Sequence, residues 1–188
     1  MALTKVDPVH GIDLADKEYF HVDLTTAQTG VADITNTTVD FGGSGTVKYD
    51  TKSNFDSAND AYLLDSSDGV YLISYSIGLR TDDLADVHLI DTAALVRVAT
   101  DGSTFVPIQG SGAVPRDDDS GEGASLTLSG TFIYKSTNAT TKVDLQGFAN
   151  LLASDTCEFS HNVNNLQNHS ITGGDTARCT FLTIVRIA

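Results

Sequence analysis

The sequence predicts an all-β fold: stacked antiparallel layers of strands, with a polar extension at the N-terminus. Three observations indicate this class. Short segments alternate large apolar with smaller or polar residues, clusters of Gly, Asn, Asp and Ser separate them, and no helical period persists for three turns. Roughly eight to ten short strands at this spacing are typical of a sandwich, jelly roll or barrel.

The clearest strand is Gly69–Leu79, GVYLISYSIGL, which follows the turn-forming run DSSDG. Successive side chains of a strand point to opposite faces. One face is heavy and apolar, and the other is lighter, with two serines and a glycine. We expect the heavy face in the core, and its residues are Tyr71, Ile73, Tyr75, Ile77 and Leu79.

The strands before this one are short and bounded by turn residues. Tyr19–Leu24 alternates as a half-buried strand. Val39–Phe41 is a strand candidate that ends at the glycine-rich run GGSG, which we interpret as a turn. Thr46–Asp50 precedes the polar loop TKSNFDSAND, and Ala61–Leu64 follows it.

A hairpin is predicted after residue 86. Alanines make a helix conceivable over Val87–Thr100, but its β-branched residues and the Asp101-Gly102 turn favour a strand. Thr104–Ile108 is the returning strand, and Gln109–Gly123 is predicted to be a loop.

The last third of the chain again alternates. Ala124–Ser136, ASLTLSGTFIYKS, is a clean strand pattern, and Thr141–Ala149 follows the turn Asn138-Ala139-Thr140. Asp155–His161 is predicted to be a strand, Asn162–Gly174 a loop rich in Asn and Gly, and Ala177–Ile187 a buried closing strand.

Composition excludes several classes of partner. The chain has 188 residues and a net charge of −14, which repels nucleic acid and anionic membrane surfaces. No apolar run reaches about 18 residues, so we expect no membrane insertion. The N-terminal residues contain no continuous apolar h-region, so no signal peptide is visible. Cys157 and Cys179 are either buried thiols, which we favour, or a pair.

The domain boundary is predicted near residue 38. Residues 1–18 are polar and show no sustained period, and turn chemistry follows the short strand Tyr19–Leu24. We therefore divide the chain into an arm or anchor segment over residues 1–38 and a folded domain over residues 39–188.

The run TVKYDTKSNFDSANDAYLLDSSDGVYLISYSIGL resembles the first half of the complement-q/tumour-necrosis-factor (TNF) superfamily of trimeric jelly rolls. The "YDT" end of one strand and the glycine-led aromatic strand contribute most to the resemblance. ASLTLSGTFIYKS, TKVDLQ (without the family's glycine) and the closing strand extend it to roughly Val39–Ile187. The resemblance implies an antiparallel jelly-roll sandwich that forms a homotrimer.

A second resemblance concerns style. The segment YFHVDLTTAQTG and the acidic, Trp-free composition are similar to virion proteins of marine tailed bacteriophages. This resemblance implies a virion location, with other virion proteins such as the major capsid protein as partners.

Two sets of candidate site residues follow. Aromatic residues of a sandwich lie in the core or at a subunit contact, and the trimeric resemblance implies contact for Tyr71, Tyr75, Tyr134 and Phe181. The acidic loop DDDSGE offers alternate carboxylates and a glycine, as a calcium ion requires, with Asp117 and Asp119 as candidate ligands. A solvated loop is the alternative for the second set.

No catalytic motif is visible. The sequence has no GxSxG elbow, no phosphate-binding GxxxxGK[ST] run and no Rossmann fingerprint, and its five histidines lack zinc spacing. We therefore expect no enzyme and no cofactor beyond calcium.

Three hypotheses remain for function. The first is a non-enzymatic phage virion structural protein, which is a trimeric capsid decoration or a head or tail fibre subunit, with host attachment as a further role. The second is a carbohydrate- or ligand-binding module that contacts host-surface glycans through loops Asn54–Asp60 and Asn162–Gly174. The third is a hydrolase of unrecognised type.

Overall fold

A computed structural model describes residues 18–81, 89–113, 125–151, 156–160 and 179–188. Nearly all regular structure in these ranges is β, arranged as two antiparallel sheets around one core, which confirms the predicted jelly-roll sandwich. In chain order the elements are β1 (Tyr19–Leu24), β2 (Gln28–Ala32), β3 (Thr37–Thr38), the one-turn helix α1 (Phe41–Ser44), β4 (Gly45–Asp50), β5 (Phe55–Asp56), β6 (Ala61–Leu63), β7 (Val70–Thr81), β8 (Leu89–Ala99), β9 (Val106–Ala113), β10 (Ser125–Lys135), β11 (Lys142–Leu151), β12 (Thr156–Ser160) and β13 (Phe181–Arg186).

The seven-stranded sheet is organised around β7. Strand β10 pairs along one edge of β7 from Val70 to Arg80. On the other edge, β13 pairs with residues 71–76 and β12 with residues 78–81, end to end. The sheet then continues from β13 to β1 and β4, and from β12 to β2. One long strand thus holds two branches of the sheet side by side.

The six-stranded sheet has the order β5-β6-β11-β8-β9. Strand β3 pairs with β11 at Gln146 and Gly147, on the edge that β6 uses at Lys142 and Val143. The long pair of β8 and β11 forms the middle of this sheet and packs against β7 and its neighbours.

The heavy face of β7 lies in the core, as predicted. All five of its large residues are at most 1% exposed, and burying each stabilises the fold by about 1.5–3 kcal/mol. Buried residues of β8 and β11, among them Val96 and Leu145, complete this core from the opposite sheet. Gly130 of β10 lies opposite Tyr75, whose hydroxyl is 2.5 Å from the position a Cβ would take there.

The structure corrects the predicted arm. Strand β1 pairs with β13 on one edge and with β4 on the other, and Phe20, Val22 and Leu24 are fully buried. Strands β2 and β3 pair with β12 and β11. Residues 18–38 therefore belong to the sandwich, because the alternation of β1 supplies three core side chains. Residues 1–17 lie outside the described part of the chain.

The strand predicted over Val39–Phe41 is wrong, since Phe41 begins the helical turn α1. The Asp40 side chain caps this turn by accepting a 2.6 Å hydrogen bond from the Gly43 N–H. A second carboxylate, that of Asp60, accepts one of 2.6 Å from the Gly42 N–H. The two carboxylates thus pair backbone N–H groups that the first turn of a helix leaves without intrahelical partners.

The loop predicted over Gln109–Gly123 is also partly wrong. Strand β9 continues to Ala113, pairing with β8 as far as Thr92. Gly110 allows this continuation, because a Cβ there would lie 2.6 Å from the Leu95 side chain across the pair. The remainder of that predicted loop falls in residues 114–124, outside the described ranges.

A buried carboxylate lies immediately before β1. Glu18 is 2% exposed, and its Oε2 accepts a 2.9 Å hydrogen bond from the Tyr71 hydroxyl. Its Oε1 accepts one of 3.3 Å from the Asp65 N–H. Burial first, and then the Glu18 carboxylate, raise the pKa of Tyr71, so the phenol stays protonated and keeps donating.

Replacing Tyr71 with phenylalanine is expected to lower the free energy of unfolding by about 1.5–3 kcal/mol, because a buried carboxylate loses a donor. Chemical denaturation followed by circular dichroism measures the change. Tyr134→Phe is the matched control, because Tyr134 is half-buried and burial alone raises the pKa of its hydroxyl, with no contribution from a carboxylate, so removing this hydroxyl should be nearly neutral. Equal losses in both variants would contradict the assigned role of Tyr71.

Both cysteines are buried, as predicted. The Cys179 Sγ and the Thr180 hydroxyl both donate to the Ser160 carbonyl oxygen, at 3.1 and 2.6 Å. These contacts fix the chain just before β13 beside the end of β12.

In the residues that the structure describes, no helix has the length and apolar character that crossing a membrane requires.

Candidate functional site

Two rows of uncharged side chains cross the outer face of the seven-stranded sheet, the face directed away from the six-stranded sheet. Directly paired positions on neighbouring strands define each row. We call them the central rows. The apolar row, from β10 to β1, is Ile133, Leu72, Val185 and Tyr19. The polar row, from β10 to β4, is Thr131, Ser74, Thr183, His21 and Tyr49.

The central rows expose apolar and aromatic surface. Ile133 is 64% exposed and Tyr49 58%, and the rings of Tyr19 and Tyr49 lie 5.3 Å apart at one end of the rows. In the polar row the Thr131 hydroxyl donates a 3.0 Å hydrogen bond to the Ser74 Oγ. None of the nine positions is Lys, Arg, Asp or Glu, in a chain with a net charge of −14.

His21 is the titratable imidazole of the polar row. Its Nε2 lies 2.8 Å from Asp23 Oδ1, and its Nδ1 lies 2.6 Å from Thr183 Oγ1. An ionised carboxylate can only accept, so Nε2 carries a proton, and in the neutral ring Nδ1 accepts from the Thr183 hydroxyl. The ring of Phe181 lies 5.9 Å away, centre to centre.

A hydroxyl, an imidazole and a carboxylate in series are also the groups of nucleophilic catalysis. Here, however, Thr183 lies on β13 between β1 and β7, and both neighbours pair with it at this position. Its flanking backbone groups are therefore engaged in the sheet and are not arranged as an oxyanion hole. The geometry favours a surface role over acyl transfer.

The four predicted interface residues lie in different environments. Tyr71 and Tyr75 are buried between the sheets, at 0% and 1% exposure, so the structure corrects their assignment to an interface. Tyr134 is half-buried and packs against the same core. Phe181 lies on the outer face of the seven-stranded sheet, two residues before Thr183 on β13, and it pairs with Asp23 of β1.

Sequence reasoning missed the central rows although part of their signal was visible. Leu72 and Ser74 are on the lighter parity of β7, which faces outward once the heavy parity is assigned to the core. Their partners on β10, β13, β1 and β4 could not be identified, because alternation does not reveal which strands pair.

The predicted calcium ligands, Asp117 and Asp119, lie outside the described residues. Among the residues that are described, no group of three or more His, Cys, Asp or Glu side chains could hold a metal ion.

The predicted ligand loop Asn54–Asp60 uses its polar side chains internally. Asn54 Nδ2 donates to the Leu63 carbonyl at 3.2 Å, and Asn59 Nδ2 donates to Asp56 at 2.8 Å. These groups already have partners within the chain, which does not favour sugar binding. The second predicted contact loop, Asn162–Gly174, lies outside the described part.

The outer face of the six-stranded sheet carries an ion pair. Arg97 of β8 and Asp144 of β11 form a bidentate pair, in which Arg97 Nε donates to Asp144 Oδ1 at 2.9 Å. Arg97 also donates to Thr38 and lies 5.2 Å from the centre of the Phe105 ring. Burial raises the pKa of Asp144, and Arg97 partly offsets this.

A more exposed pair lies on the same strand. Lys142 Nζ is 3.0 Å from Asp56 Oδ2. Hydrogen bonds from Asn59 and then from Lys142 lower the pKa of Asp56. The Arg97–Asp144 pair connects the neighbouring strands β8 and β11, and the Lys142–Asp56 pair connects β11 to β5 across β6.

No family model and no curated protein sequence matches the chain. Among solved structures, the chain is similar to murine APRIL at pH 8.0, with 11% identity and a TM-score of 0.53 over 92% of this chain and 100% of that one. It is also similar to the Eiger TNF of S. frugiperda, with 10% identity and a TM-score of 0.55 over 92% of this chain and 93% of that one. At this identity the likeness concerns the fold alone: the chain has a jelly-roll fold like that of these two structures.

Proposed function

We propose that the protein is a non-enzymatic structural subunit that forms a homotrimer through the central rows. Its setting is a bacteriophage virion, as a capsid decoration or a head or tail fibre subunit, with host attachment as a further role. The supporting observation is that the central rows cross five strands of the seven-stranded sheet without a Lys, Arg, Asp or Glu side chain.

Charge makes the central rows the favoured place for contact between copies. Each protomer carries a net charge of −14, so copies repel one another over most of their surface. The core of a protein interface is depleted of charged residues and enriched in aromatic ones, as the central rows are. Closed cyclic assembly would also cover the exposed apolar surface of Ile133 and Tyr49.

The oligomeric state tests the proposal. Size-exclusion chromatography with light scattering should give about three times the 19.9 kDa mass of the chain at micromolar concentration. Ile133→Lys places a charge in the apolar row, and we expect it to weaken association by about 100-fold or more.

Val106→Lys is the matched control. Val106 is 50% exposed on β9 of the other sheet, so this substitution should leave the mass unchanged. A wild-type chain that stays monomeric, or a Val106→Lys variant that dissociates as fully as Ile133→Lys, would overturn the proposed contact.

The virion setting needs its own test. The acidic, Trp-free composition and its similarity in style to phage virion proteins support it. Electron microscopy of particles that carry the chain should place trimeric knobs beside the major capsid protein or on the tail. Finding the chain only outside purified particles would contradict this setting while leaving the trimer intact.

A further inference from the structure

We propose that association through the central rows takes up protons at His21, so that acidification tightens the assembly. This inference rests on the proposed homotrimer and adds a regulation to that surface. It starts from the position of His21, an imidazole in the middle of an uncharged strip with a carboxylate directly beside it.

The His21 ring is hydrogen-bonded in both of its charge states. When neutral, it donates from Nε2 to Asp23 and accepts at Nδ1 from the Thr183 hydroxyl. When protonated, it donates to both, and Thr183 reverses its hydroxyl. Both hydrogen bonds are therefore available in either charge state without any rearrangement of the protomer.

Protonation changes the charge that the face presents. With a neutral ring, the His21–Asp23 pair has a charge of −1, located on a carboxylate whose residue is only 6% exposed. With a protonated ring, the pair is neutral. Association through the central rows would place this pair at a surface that excludes water, where a net charge costs more to bury than a neutral pair does.

The other groups around His21 do not replace this effect. From β4, Tyr49 faces the ring, and Lys48 is the exposed extra residue at the bulge beside it. From β13, Thr183 and Phe181 face it, while the Arg186 Nε donates to the Ala188 carbonyl near the chain end. Among the described residues of these strands, Asp23 is the carboxylate in contact with the ring.

The sign follows from linkage. Assembly buries a net charge of −1 when the ring is neutral and a neutral pair when the ring is protonated, so the assembled state favours the protonated imidazole more than the free protomer does. A state that binds more protons is favoured as the pH falls. Histidines change charge between about pH 5 and 8, and each proton taken up changes the association constant by up to about tenfold per pH unit.

Sedimentation equilibrium of the full chain between pH 8.0 and 5.5 tests the inference, with circular dichroism to confirm folding at each pH. The wild-type association constant should rise at least about tenfold on acidification. His21→Gln can still donate to Asp23 but cannot titrate, so most of the pH dependence should disappear. Asp23→Asn removes the carboxylate charge, so this variant should associate more tightly than wild type at pH 8.0, and acidification should no longer tighten its assembly.

A second measurement needs no variant. Diluting concentrated wild-type protein in weakly buffered solution near pH 6.5 should release protons as the assembly dissociates, so the solution should become more acidic. A trimer whose stability does not vary with pH, or a His21→Gln variant that keeps the full dependence, would overturn this inference and leave the proposed assembly standing. A monomer at every pH would overturn both.

Discussion

Replacing Phe159 with alanine is expected to lower the free energy of unfolding by about 3–5 kcal/mol. Phe159 belongs to β12 of the seven-stranded sheet and is fully buried. Its ring crosses the core and packs on Gly147 of β11, so closely that ring atoms occupy the space where a Cβ would lie. Alanine would leave a cavity between the two sheets. The hydrogen bonds within each sheet keep its strands in place, so the strands cannot move in to fill the cavity. Urea denaturation followed by circular dichroism measures the loss.

The contact can be isolated with a double-mutant cycle. Gly147→Ala pushes a methyl group into the ring and should cost about 1–3 kcal/mol. In the double variant the methyl group enters the space that the ring vacates. The double variant should therefore lose less free energy of unfolding than the sum of the losses in the two single variants. Gly112→Ala is the control, because its Cβ would meet only the Thr92 carbonyl oxygen, at 3.1 Å, on an exposed edge. Strictly additive losses would contradict the packing of Phe159 on Gly147.

The sequence predicts which face of a strand is buried better than it predicts which strands pair with each other. Alternation assigned the heavy side of β7 to the core and located β1, β8, β10, β11 and β12 to within a few residues. It could not show that β1 lies between β4 and β13, since His21 and Thr183 are 162 residues apart in the chain. The hydrogen bonds that join such strands are nonlocal, and the periodicity of a segment contains no information about its partner.

Because the sequence does not show which strands pair, it also predicts the wrong contact residues on β7. Large aromatic residues on β7 were assigned to subunit contact, but a sandwich of this size uses its largest side chains to fill the space between the sheets. Tyr71 and Tyr75 are needed there, so the contact surface has to come from the opposite parity of β7. The central rows become visible only when five strands are placed in register.

Replacing Asp144 with leucine is expected to lower the free energy of unfolding by about 3 kcal/mol. The side chain of Asp144 is 2% exposed and that of Arg97 is 17% exposed, so the variant leaves a largely buried guanidinium without its carboxylate. Removing one partner of a buried ion pair costs more than the pair itself contributes, because the other charge stays in a low-dielectric site. The partial exposure of Arg97 places the expected loss at the lower end of the range for buried pairs.

Removing the second charge should restore much of that stability. In Arg97→Met/Asp144→Leu no buried charge is left unpaired, and two apolar side chains of similar length lie side by side on β8 and β11. A double variant no more stable than Asp144→Leu would show that the loss comes from packing and not from an unpaired charge. Thermal and urea unfolding of wild type and of these two variants therefore separate the two explanations.

Lys142→Met is the matched control, since it breaks an ion pair on the same strand whose side chains are 24% and 31% exposed. Its cost should stay below about 1 kcal/mol, because solvent screens an exposed pair. Its pH dependence has a definite sign: the pKa of Asp56 is lowered from 3.8, so the stability this carboxylate supplies is present above that pH and is lost as the pH falls through the folded-state value. The difference in free energy of unfolding between wild type and Lys142→Met should therefore vanish in acid.

At neutral pH the loss in Asp144→Leu should be several times larger than the loss in Lys142→Met. Equal costs for the two substitutions would mean that burial does not distinguish the two ion pairs.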